Sequence, residues 1–507
     1  MKFSRLIDSV VELVSPAAGL RRARARIAVE TILRHYEGAS HSRRTAGWIA
    51  PPTSQNAAVQ GKLGVLRDRS RDIIRNNAWA TSAVELYESE IVGTGIVPTF
   101  VAKDPKIAVD ALDLWKAHCG TTAIDADGRL DLYGLQALAV RTIFESGEVL
   151  IRRRRRFASD GLPLPFQVEL LEPDHLDETR DTFRTSSGGR IASGIQLSPI
   201  GAREGYWLFP DHPGELVWSG EASRFVPASE ILHAYRLKRA KQLRGIPALA
   251  AVLAKLRDLD EFEDAALLKA KIAACLTAFV SDPAEGELPT TGVQTKNVIP
   301  ESLEPGAIVN LPGGKSISFS TPPADATYPD FVRANLRAIA AGVGVTYEAL
   351  TGDWSMVNYS SARMGWLQNA RSVDRFRWNV LVTQALNPLA GWFTFAAVLS
   401  GKLPDVPIGV LWTPPRRAML DPKTEVPARR DAVRAGFASP SEILREDGQD
   451  PEQVWKEAAA DFAKLRALGL HYESDPAVAL RGSPAPAPAP KDPELDAAAA
   501  KAEPVAK

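Results

Sequence analysis

One short run of the sequence has residue types that could bind a nucleotide phosphate. Gly-Gly-Lys-Ser at 313–316 resembles the end of a P-loop, in which backbone amides and a lysine hold the phosphates. That motif also needs a glycine at position 309, where Val309 stands, and a helix after the lysine. The residues after 315 alternate as a strand does, so the run is better interpreted as a turn.

A second run, Asp125-Ala126-Asp127-Gly128, has the acidic spacing of a calcium-binding loop. The calcium register requires glycine at its sixth position and glutamate at its twelfth, which here are Leu130 and Gln136. The run is therefore better interpreted as an Asp/Gly turn that leads into a helix.

His118 and Cys119 could in principle supply a base and a nucleophile, but side chains adjacent in sequence rarely face each other. No Gly-x-Ser-x-Gly elbow occurs in the sequence. Cys119 and Cys275 are the two cysteines and form no Cys-x-x-Cys pair, which indicates neither a zinc site nor a disulfide framework and suits a reducing cytoplasm. The sequence thus gives no support for a catalytic residue, a metal site or a cofactor.

The arginine run at 152–156 is the densest positive charge in the chain. On a strand, Arg152, Arg154 and Arg156 face one side and Arg153 and Arg155 the other, which halves any patch. A solvated strand end or a set of ion pairs at a subunit interface is the preferred interpretation, and direct DNA binding is the alternative.

Two aromatic residues, Trp354 and Tyr359, lie in or beside a polar loop and could stack on nucleic-acid bases. The alternative is that both pack under the loop as anchors. We favour packing for Tyr359 and leave both interpretations open for Trp354.

The elements around that loop are a helix, the loop itself and a second helix. Apolar residues of the first helix, over 331–342, recur near 3.6-residue spacing, and Gly342 and Gly344 are expected to end it. The segment 346–359 is rich in residues that favour turns. A helix is predicted over 360–386, ending at Asn387-Pro388.

Length and composition suggest a large protein of mixed structure that does not act through bulk charge. The 507 residues suffice for two to four packed units, and 61 basic residues balance 61 acidic ones. The pattern predicts helices over 63–91, 132–146 with Asp131 as N-cap, and 247–279. Strands are predicted at 148–157, 166–171, 191–197, 206–209 and 216–217, and further helices at 424–435, 441–446 and 451–467. No segment is apolar for long enough to predict a membrane span.

Several segments, taken in chain order, resemble the lambda-type family of phage portal proteins over residues 1 to about 470. The most specific is Asn-Tyr-Ser-Ser-Ala-Arg at 358–363, which follows Gly352 and Asp353. The other segments that carry the resemblance are 71–77, 92–96, 147–150, 171–176, 242–247, 256–260 and 421–451.

The resemblance implies an α+β portal fold with a mixed wing, long stem helices, a small β-rich clip, a tunnel loop and a helical crown. The implied regions are N-terminal helices and a mobile arm (1–60), wing (61–244), stem helix (245–280), clip (281–323), second stem helix (324–344), tunnel loop (345–359), inner helix with wing remainder and crown (360–475), and a disordered Ala/Pro tail (476–507).

The same resemblance implies a non-enzymatic, dodecameric ring at the capsid vertex of a virion, assembled in the host cytoplasm, through which double-stranded DNA is packaged and ejected. Its implied partners are the terminase large subunit, the capsid or scaffold protein and head-completion proteins. Candidate residues are Asp353, Trp354, Ser355 and Asn358 in the channel, Tyr359 and Arg363 as loop anchors, and Lys296 and Glu301 for docking at the clip.

Two alternatives of other classes stay open at this point. One is a DNA-processing enzyme with an unrecognised site, which would show metal- or nucleotide-dependent turnover. The other is a head-tail adaptor that forms a ring without conducting DNA, and the long helix followed by a loop argues against it.

Overall fold

The computed structural model describes residue 47 and residues 49–186, 188–217, 220–274, 278–281, 316–319, 328–416, 419 and 421–470; for 272–274, 278–281 and 316–319 it describes the backbone alone. The chain divides after Ala58 into two units, and all elements from α2 onward belong to the second. The helices are α1 (Gln55–Val59), α2 (Leu63–Asn76), α3 (Ala78–Ile91), α4 (Pro105–His118), α5 (Leu132–Ser146), α6 (Leu253–Ala274), α7 (Tyr328–Val343), α8 (Tyr347–Thr351), α9 (Tyr359–Phe376), α10 (Asn387–Leu399), α11 (Pro422–Arg434), α12 (Pro440–Glu446) and α13 (Pro451–Ala467).

The strands pair in antiparallel fashion in four small sheets. They are β1 (Val97–Val101), β2 (Glu148–Arg155), β3 (Phe166–Leu171), β4 (Arg190–Ala192), β5 (Ile195–Leu197), β6 (Arg203–Leu208), β7 (Arg224–Pro227), β8 (Ile231–Tyr235), β9 (Ala278–Ser281), β10 (Ser316–Phe319) and β11 (Gly409–Thr413). The sheet orders are β3-β2-β8, β4-β5-β6-β7, β1-β11 and β9-β10. Together with the helices they form the α+β fold that the sequence predicts.

The two predicted stem helices pack against each other in opposite directions. The Phe262 ring on α6 lies 4.5 Å from Phe331 near the start of α7, and Val252, just before α6, contacts Gly342 near the end of α7. A Cβ at Gly342 would lie 2.4 Å from a methyl of Val252, so glycine permits the close approach. The two helices therefore lie side by side. Gly344, at φ +95°, is the residue that ends α7.

Large aromatic side chains form the centre of the main core. Trp115 on α4 is fully buried and lies 4.9 Å from Phe393 on α10, 5.6 Å from Phe100 on β1 and 6.0 Å from Trp412 on β11. A second core joins α2, α3, α6 and α7, and a third lies beneath the four-stranded sheet. The chain therefore contains the several cores that its length predicts.

The predictions that rested on local signals are largely confirmed. The helix over 132–146 has the predicted bounds, and the Asp131 carboxylate accepts a hydrogen bond from the Gly134 amide at 2.8 Å. The strand at 166–171 and the helix at 451–467 also have the predicted bounds. The predicted strand at 216–217 is wrong, because Leu216 and Val217 lie fully exposed outside any strand.

The single helix predicted over 63–91 is wrong, because Asn77 divides it. Asn77 has an extended backbone (φ −115°, ψ 122°), and its side chain accepts a hydrogen bond from the Ala80 amide. Asparagine favours the N-cap position for this reason, so α3 starts anew in a different direction.

The predicted helix over 247–279 is shorter than expected. A 3-10 turn occupies Ala248–Ala251, α6 has 22 residues, and the backbone is a strand from Ala278. Phe279 and Val280 favour strands, and both lie in the ladder that pairs with β10. Among the described residues of this stretch, those from Leu253 to Ala274 are α-helical.

The predicted helix end at Asn387-Pro388 is also wrong. Residues Arg377–Leu386 form a π-helix, and α10 follows it directly, with Pro388 in its first turn. Proline lacks an amide hydrogen, and in a regular α-helix its ring would collide with the carbonyl four residues earlier. The π-helix before Pro388 changes this spacing, so the helical course continues past the proline. The Asn387 side chain instead accepts a hydrogen bond from the Trp412 indole at 2.7 Å.

Some predictions fall outside the described residues. They include the N-terminal helices before residue 47, most of the clip with Lys296 and Glu301, the run 313–315, Cys275 and the tail from 476 onward. Among the described helices, none combines the length and the apolar character that crossing a bilayer requires.

A buried histidine makes the stability of this fold dependent on pH. Burial against Phe166, at 4.9 Å between ring centroids, lowers the pKa of His118 to about 4 from its ordinary 6.5. Because the unfolded chain binds this proton more readily, stability falls as pH drops from 6.5 to 4, by up to about 3 kcal/mol.

We therefore expect the urea concentration at the midpoint of unfolding to decrease when the pH is lowered from 7 to 4.5. In the His118→Gln variant this midpoint should decrease less over the same interval. Each variant serves as its own reference at pH 7, which separates proton binding from any loss of packing. Identical pH dependence in both proteins would contradict the assignment.

Candidate functional site

A buried carboxylate, Glu148, connects the sheets to the helices. It lies at the start of β2 with no exposed surface, and one oxygen accepts two hydrogen bonds from the Arg244 guanidinium at 2.5 and 2.8 Å. The other oxygen accepts from the Gly245 amide at 2.6 Å. Burial alone would raise the pKa of Glu148, but Arg244 and the hydrogen bond from His233 hold it far below its usual range.

The neighbouring His233 is held as one neutral tautomer. The Arg203 guanidinium can only donate, so the His233 Nδ1 that lies 3.1 Å from it accepts a hydrogen bond. The proton therefore sits on Nε2, which donates to Glu148 at 2.9 Å. Burial lowers the pKa of His233 to about 4, although Glu148 acts in the opposite direction.

The ion pairs extend from Glu148 to helix α2. Arg244 also contacts Glu178 at 3.0 Å, and Glu178 in turn accepts a hydrogen bond from Arg67 at 2.5 Å. Arg67 is 3% exposed and reaches Asp174 at 3.2 Å. We use the name Glu148 network for Glu148, His233, Arg244, Glu178, Arg67, Asp174, Arg71 and Glu172. It holds α2 against the sheets through ion pairs that are buried at Glu148, Arg244 and Arg67 and partly exposed at the remaining acids.

Glu172, Asp174 and His212 have the composition of a metal site, but a cation already occupies their centre. One nitrogen of Arg71 lies 2.5 Å from an oxygen of Glu172 and 2.5 Å from an oxygen of Asp174. The guanidinium neutralises the acidic pair, so the three residues are better explained as part of the Glu148 network.

Sequence reasoning missed this network although several of its members lie in the segments that carry the family resemblance. Those segments contribute Arg71, Glu148, Glu172 with Asp174, and Arg244. The available signal was a charged residue at the edge of an apolar run, as where Glu148 precedes Val149, Leu150 and Ile151. Gly147 and Gly245 lie back to back beside it, with too little room for a Cβ at either position.

The Glu148 network also positions the stem helices, because α2 packs on α6. Asn77, between α2 and α3, donates a hydrogen bond to Asp260 on α6 at 3.3 Å. Two side chains of α3 then hold the far end of the stem: the Tyr87 hydroxyl donates to the Val343 carbonyl at 3.0 Å, and Ser82 donates to the Leu350 carbonyl at 3.0 Å. The loop that follows α8 thus begins from a fixed point.

Within the predicted tunnel loop, Asp353 organises the backbone. Its carboxylate accepts hydrogen bonds from the Ser355 hydroxyl at 2.6 Å, the Ser355 amide at 3.1 Å and the Tyr347 hydroxyl at 3.2 Å. The bonds from Ser355 lower the pKa of Asp353. Both Asp353 and Ser355, predicted to face DNA, are therefore engaged in folding the loop.

The Asn-Tyr-Ser-Ser-Ala-Arg segment has a clear structural role as a helix start. The Asn358 side chain accepts from the Ser361 amide at 2.9 Å, and the Ser361 hydroxyl accepts from the Asn358 amide at 3.1 Å. This reciprocal cap begins α9. The expectation that Tyr359 packs under the loop is wrong, since Tyr359 is 56% exposed on the first turn of α9, and Arg363 is also exposed.

The tip of the loop presents apolar side chains to solvent. Trp354 is 57% exposed and Met356 is 76% exposed. Exposed apolar groups on a folded chain commonly mark a contact surface. Of the two interpretations of Trp354, packing beneath the loop is therefore excluded within this single chain.

The other motifs have structural explanations. Asp125 accepts hydrogen bonds from the amides of Asp127, Arg129 and Leu130, which confirms a turn. In the arginine run, Arg154 pairs with Glu169 at 2.6 Å and Arg155 with Glu230 at 2.7 Å. Arg154 and Arg155 thus form their ion pairs within the same chain.

Cys119 is buried, and burial raises the pKa of its thiol, which makes it a poor nucleophile.

We expect Glu148→Gln to lower the free energy of unfolding by about 3–5 kcal/mol, because it removes the buried counter-charge of Arg244 and leaves it only the partly exposed Glu178. Glu169→Gln is the matched control; it removes a partly exposed ion pair and should cost about 1 kcal/mol or less. Urea denaturation followed by circular dichroism measures both. If the urea midpoints of Glu148→Gln and Glu169→Gln were equal, the Glu148 network would not control stability.

Comparison with known proteins identifies the family. Residues 41–377, two thirds of the chain, match the model of the phage portal protein, lambda family. Similar proteins include a probable portal protein of Halomonas phage phiHAP-1 (25% identity over 466 residues, 87% of this chain and 88% of the relative) and the portal protein of Escherichia phage N15 (23% over 495 residues, 86% and 91%). Portal protein B of Escherichia phage lambda is 21% identical over 496 residues, covering 86% of this chain and 90% of the relative.

Solved structures with a detectable likeness include chains of gene transfer agent particles. A chain in the native virion has a TM-score of 0.44 and 17% identity over 77% of this chain and 94% of its own length. A chain in the native neck, computed with C12 symmetry, has a TM-score of 0.43 and 17% identity over 75% and 94%. A likeness this weak adds nothing to the match over residues 41–377, and on that match the chain belongs to the lambda family of phage portal proteins.

Proposed function

We propose that this chain assembles into a ring, expected to be a dodecamer at the capsid vertex, through which double-stranded DNA is packaged and ejected. The observation that carries the proposal is the stem: α6 and α7 pack as antiparallel rods and end at an anchored loop with an exposed tip. A ring of such subunits would surround a hollow with rigid walls and place one loop per subunit at its constriction.

The charge of the chain supports a conduit in which DNA slides. Each phosphate that a lysine or arginine neutralises adds affinity, so a strongly basic bore would retain the DNA that has to move. The chain has no net charge. Asp353 and Ser355 shape the loop, Asn358 begins the next helix, and Trp354 with Met356 is the pair we assign to the constriction.

The remaining regions complete the proposal. Residues 61–244 are the wing, 245–280 and 324–344 the stem, 345–359 the tunnel loop and 360–475 the inner helix, wing remainder and crown. The clip at 281–323, with Lys296 and Glu301, docks the terminase large subunit and later the head-completion proteins, and the capsid or scaffold protein surrounds the ring. The protein is then a component of the virion that assembles in the host cytoplasm and catalyses no reaction.

The test removes the exposed apolar tip without changing the loop backbone. We expect Trp354→Ser with Met356→Ser to form normal rings but to retain several-fold less packaged DNA, because the constriction loses its bulk. Negative-stain microscopy measures rings, and gel sizing of DNA from assembled particles measures packaging.

The matched control is Phe183→Ser with Ile200→Ser, which removes two apolar side chains that are 98% and 92% exposed elsewhere on the chain. This control should package normally. A DNA length equal to wild type in the loop variant, or in a variant that lacks residues 351–357, would contradict the assignment of the loop.

A further inference from the structure

Helix α9 carries an exposed row of positive and apolar side chains that the fold does not use. We call Arg363, Met364, Leu367, Arg371 and Arg375 the basic stripe; all five are exposed, and four of them are spaced by four residues. Met364 is 68% and Leu367 42% exposed. Among the residues that the structure describes, no carboxylate forms an ion pair with these three arginines, so their charge is available to a partner.

Helix α6 carries a row of the opposite charge. We call Asp258, Glu261, Asp264, Leu267 and Leu268 the acidic stripe; all five are exposed, with the leucines at 53% and 59%. Glu261 also pairs with the exposed Arg257 on the same helix at 2.9 Å, so Asp258 and Asp264 are the charges on which the stripe depends. Partial burial raises the pKa of the neighbouring Glu263, and the negative charges of Asp260 and Asp264 raise it further. Negative charge is therefore crowded along this helix. This face would gain from contact with cations.

The two stripes match in chemistry and length. Each combines charges of one sign with two exposed apolar side chains, and at 1.5 Å per residue they run for roughly 15–18 Å.

The two stripes also lie on different parts of the molecule, as a closed ring requires. Helix α6 packs on α2 and α7, whereas α9 packs on α3 and the π-helix. A ring forms when one surface of each subunit contacts a different surface of the next.

We infer that the basic stripe of one subunit docks on the acidic stripe of a second copy of this chain, and that this contact closes the ring. The inference rests on the proposed ring function and specifies which surfaces build it. The leucines and methionine favour a protein partner over DNA, because phosphates give apolar side chains nothing to contact. Since the charges are exposed, the contact weakens as salt rises.

Three charge variants test the docking. The first carries Arg371→Glu with Arg375→Glu, the second Asp258→Arg with Asp264→Arg, and the third all four changes. We expect the first two, each alone, to raise the concentration needed for half-assembly about tenfold or more, because every interface then joins like charges. The third variant should assemble again, because both stripes are reversed together.

The decisive experiment mixes the first two variants at equal concentration. Each has two stripes of one sign, so neither can close a ring alone, but alternating copies pair opposite charges at every interface. Native mass spectrometry should then find rings with equal numbers of both variants. Arg184→Glu with Arg190→Glu, two exposed arginines beside and on β4, is the matched control and should assemble as wild type does.

Other outcomes overturn the inference in distinguishable ways. If either single-stripe variant assembles as wild type does, the stripes do not form the subunit interface. If the first variant forms normal rings but loses packaged DNA, the basic stripe faces DNA instead. If the wild-type chain forms no ring, the proposed function fails and the docking fails with it.

Discussion

The pairing of the buried Glu148 carboxylate constrains the rest of this structure. A charge without exposed surface is strongly destabilising unless every acceptor site is satisfied, so its partners must reach it with accurate geometry. Arg244, His233 and the Gly245 amide meet this requirement from two separate parts of the chain. Once they do, the relative positions of β2, β8 and the segment before α6 are fixed.

The same constraint passes from the sheets to the loop through a series of close contacts. Arg67 and Arg71 are the members of the Glu148 network that lie on α2 and so hold this helix against the sheets. Asn77 then links the α2–α3 junction to α6 by a hydrogen bond to Asp260. Helix α7 packs closely along α6 because Gly342 leaves room for the Val252 side chain. Hydrogen bonds from α3 then hold the ends of α7 and α8. The loop tip, although exposed, therefore projects from a rigid base, which a constriction around moving DNA would require.

The sequence predicted the elements whose signals are local, and it failed where the deciding contact is distant. The cap at Asp131 and the alternation at 166–171 lie within a few residues, and the structure confirms them. The break at Asn77 depends partly on Asp260, and the continuation through Pro388 depends on a π-helix that is anchored by Gln384 to the backbone of Tyr235 at 3.1 Å. The Glu148 network could not be predicted, because no spacing rule brings residues 67, 148 and 244 together. The position of Tyr359 was misjudged because aromatic character alone does not say whether a neighbouring subunit or the same chain covers the ring.

The proposed conduit requires a chain with many arginines to enclose DNA without retaining it. Arg67, Arg71 and Arg244 pair with buried or partly buried acids, and Arg154 and Arg155 pair with glutamates on neighbouring strands and turns. An arginine that already faces a carboxylate gains little from a phosphate, because the carboxylate would have to be left unpaired. The arginines of the basic stripe are exceptions among the described residues, and docking on the acidic stripe would neutralise them in the same way. On the proposed function, arginines that are paired within the chain would add little to the affinity for DNA that passes through the ring.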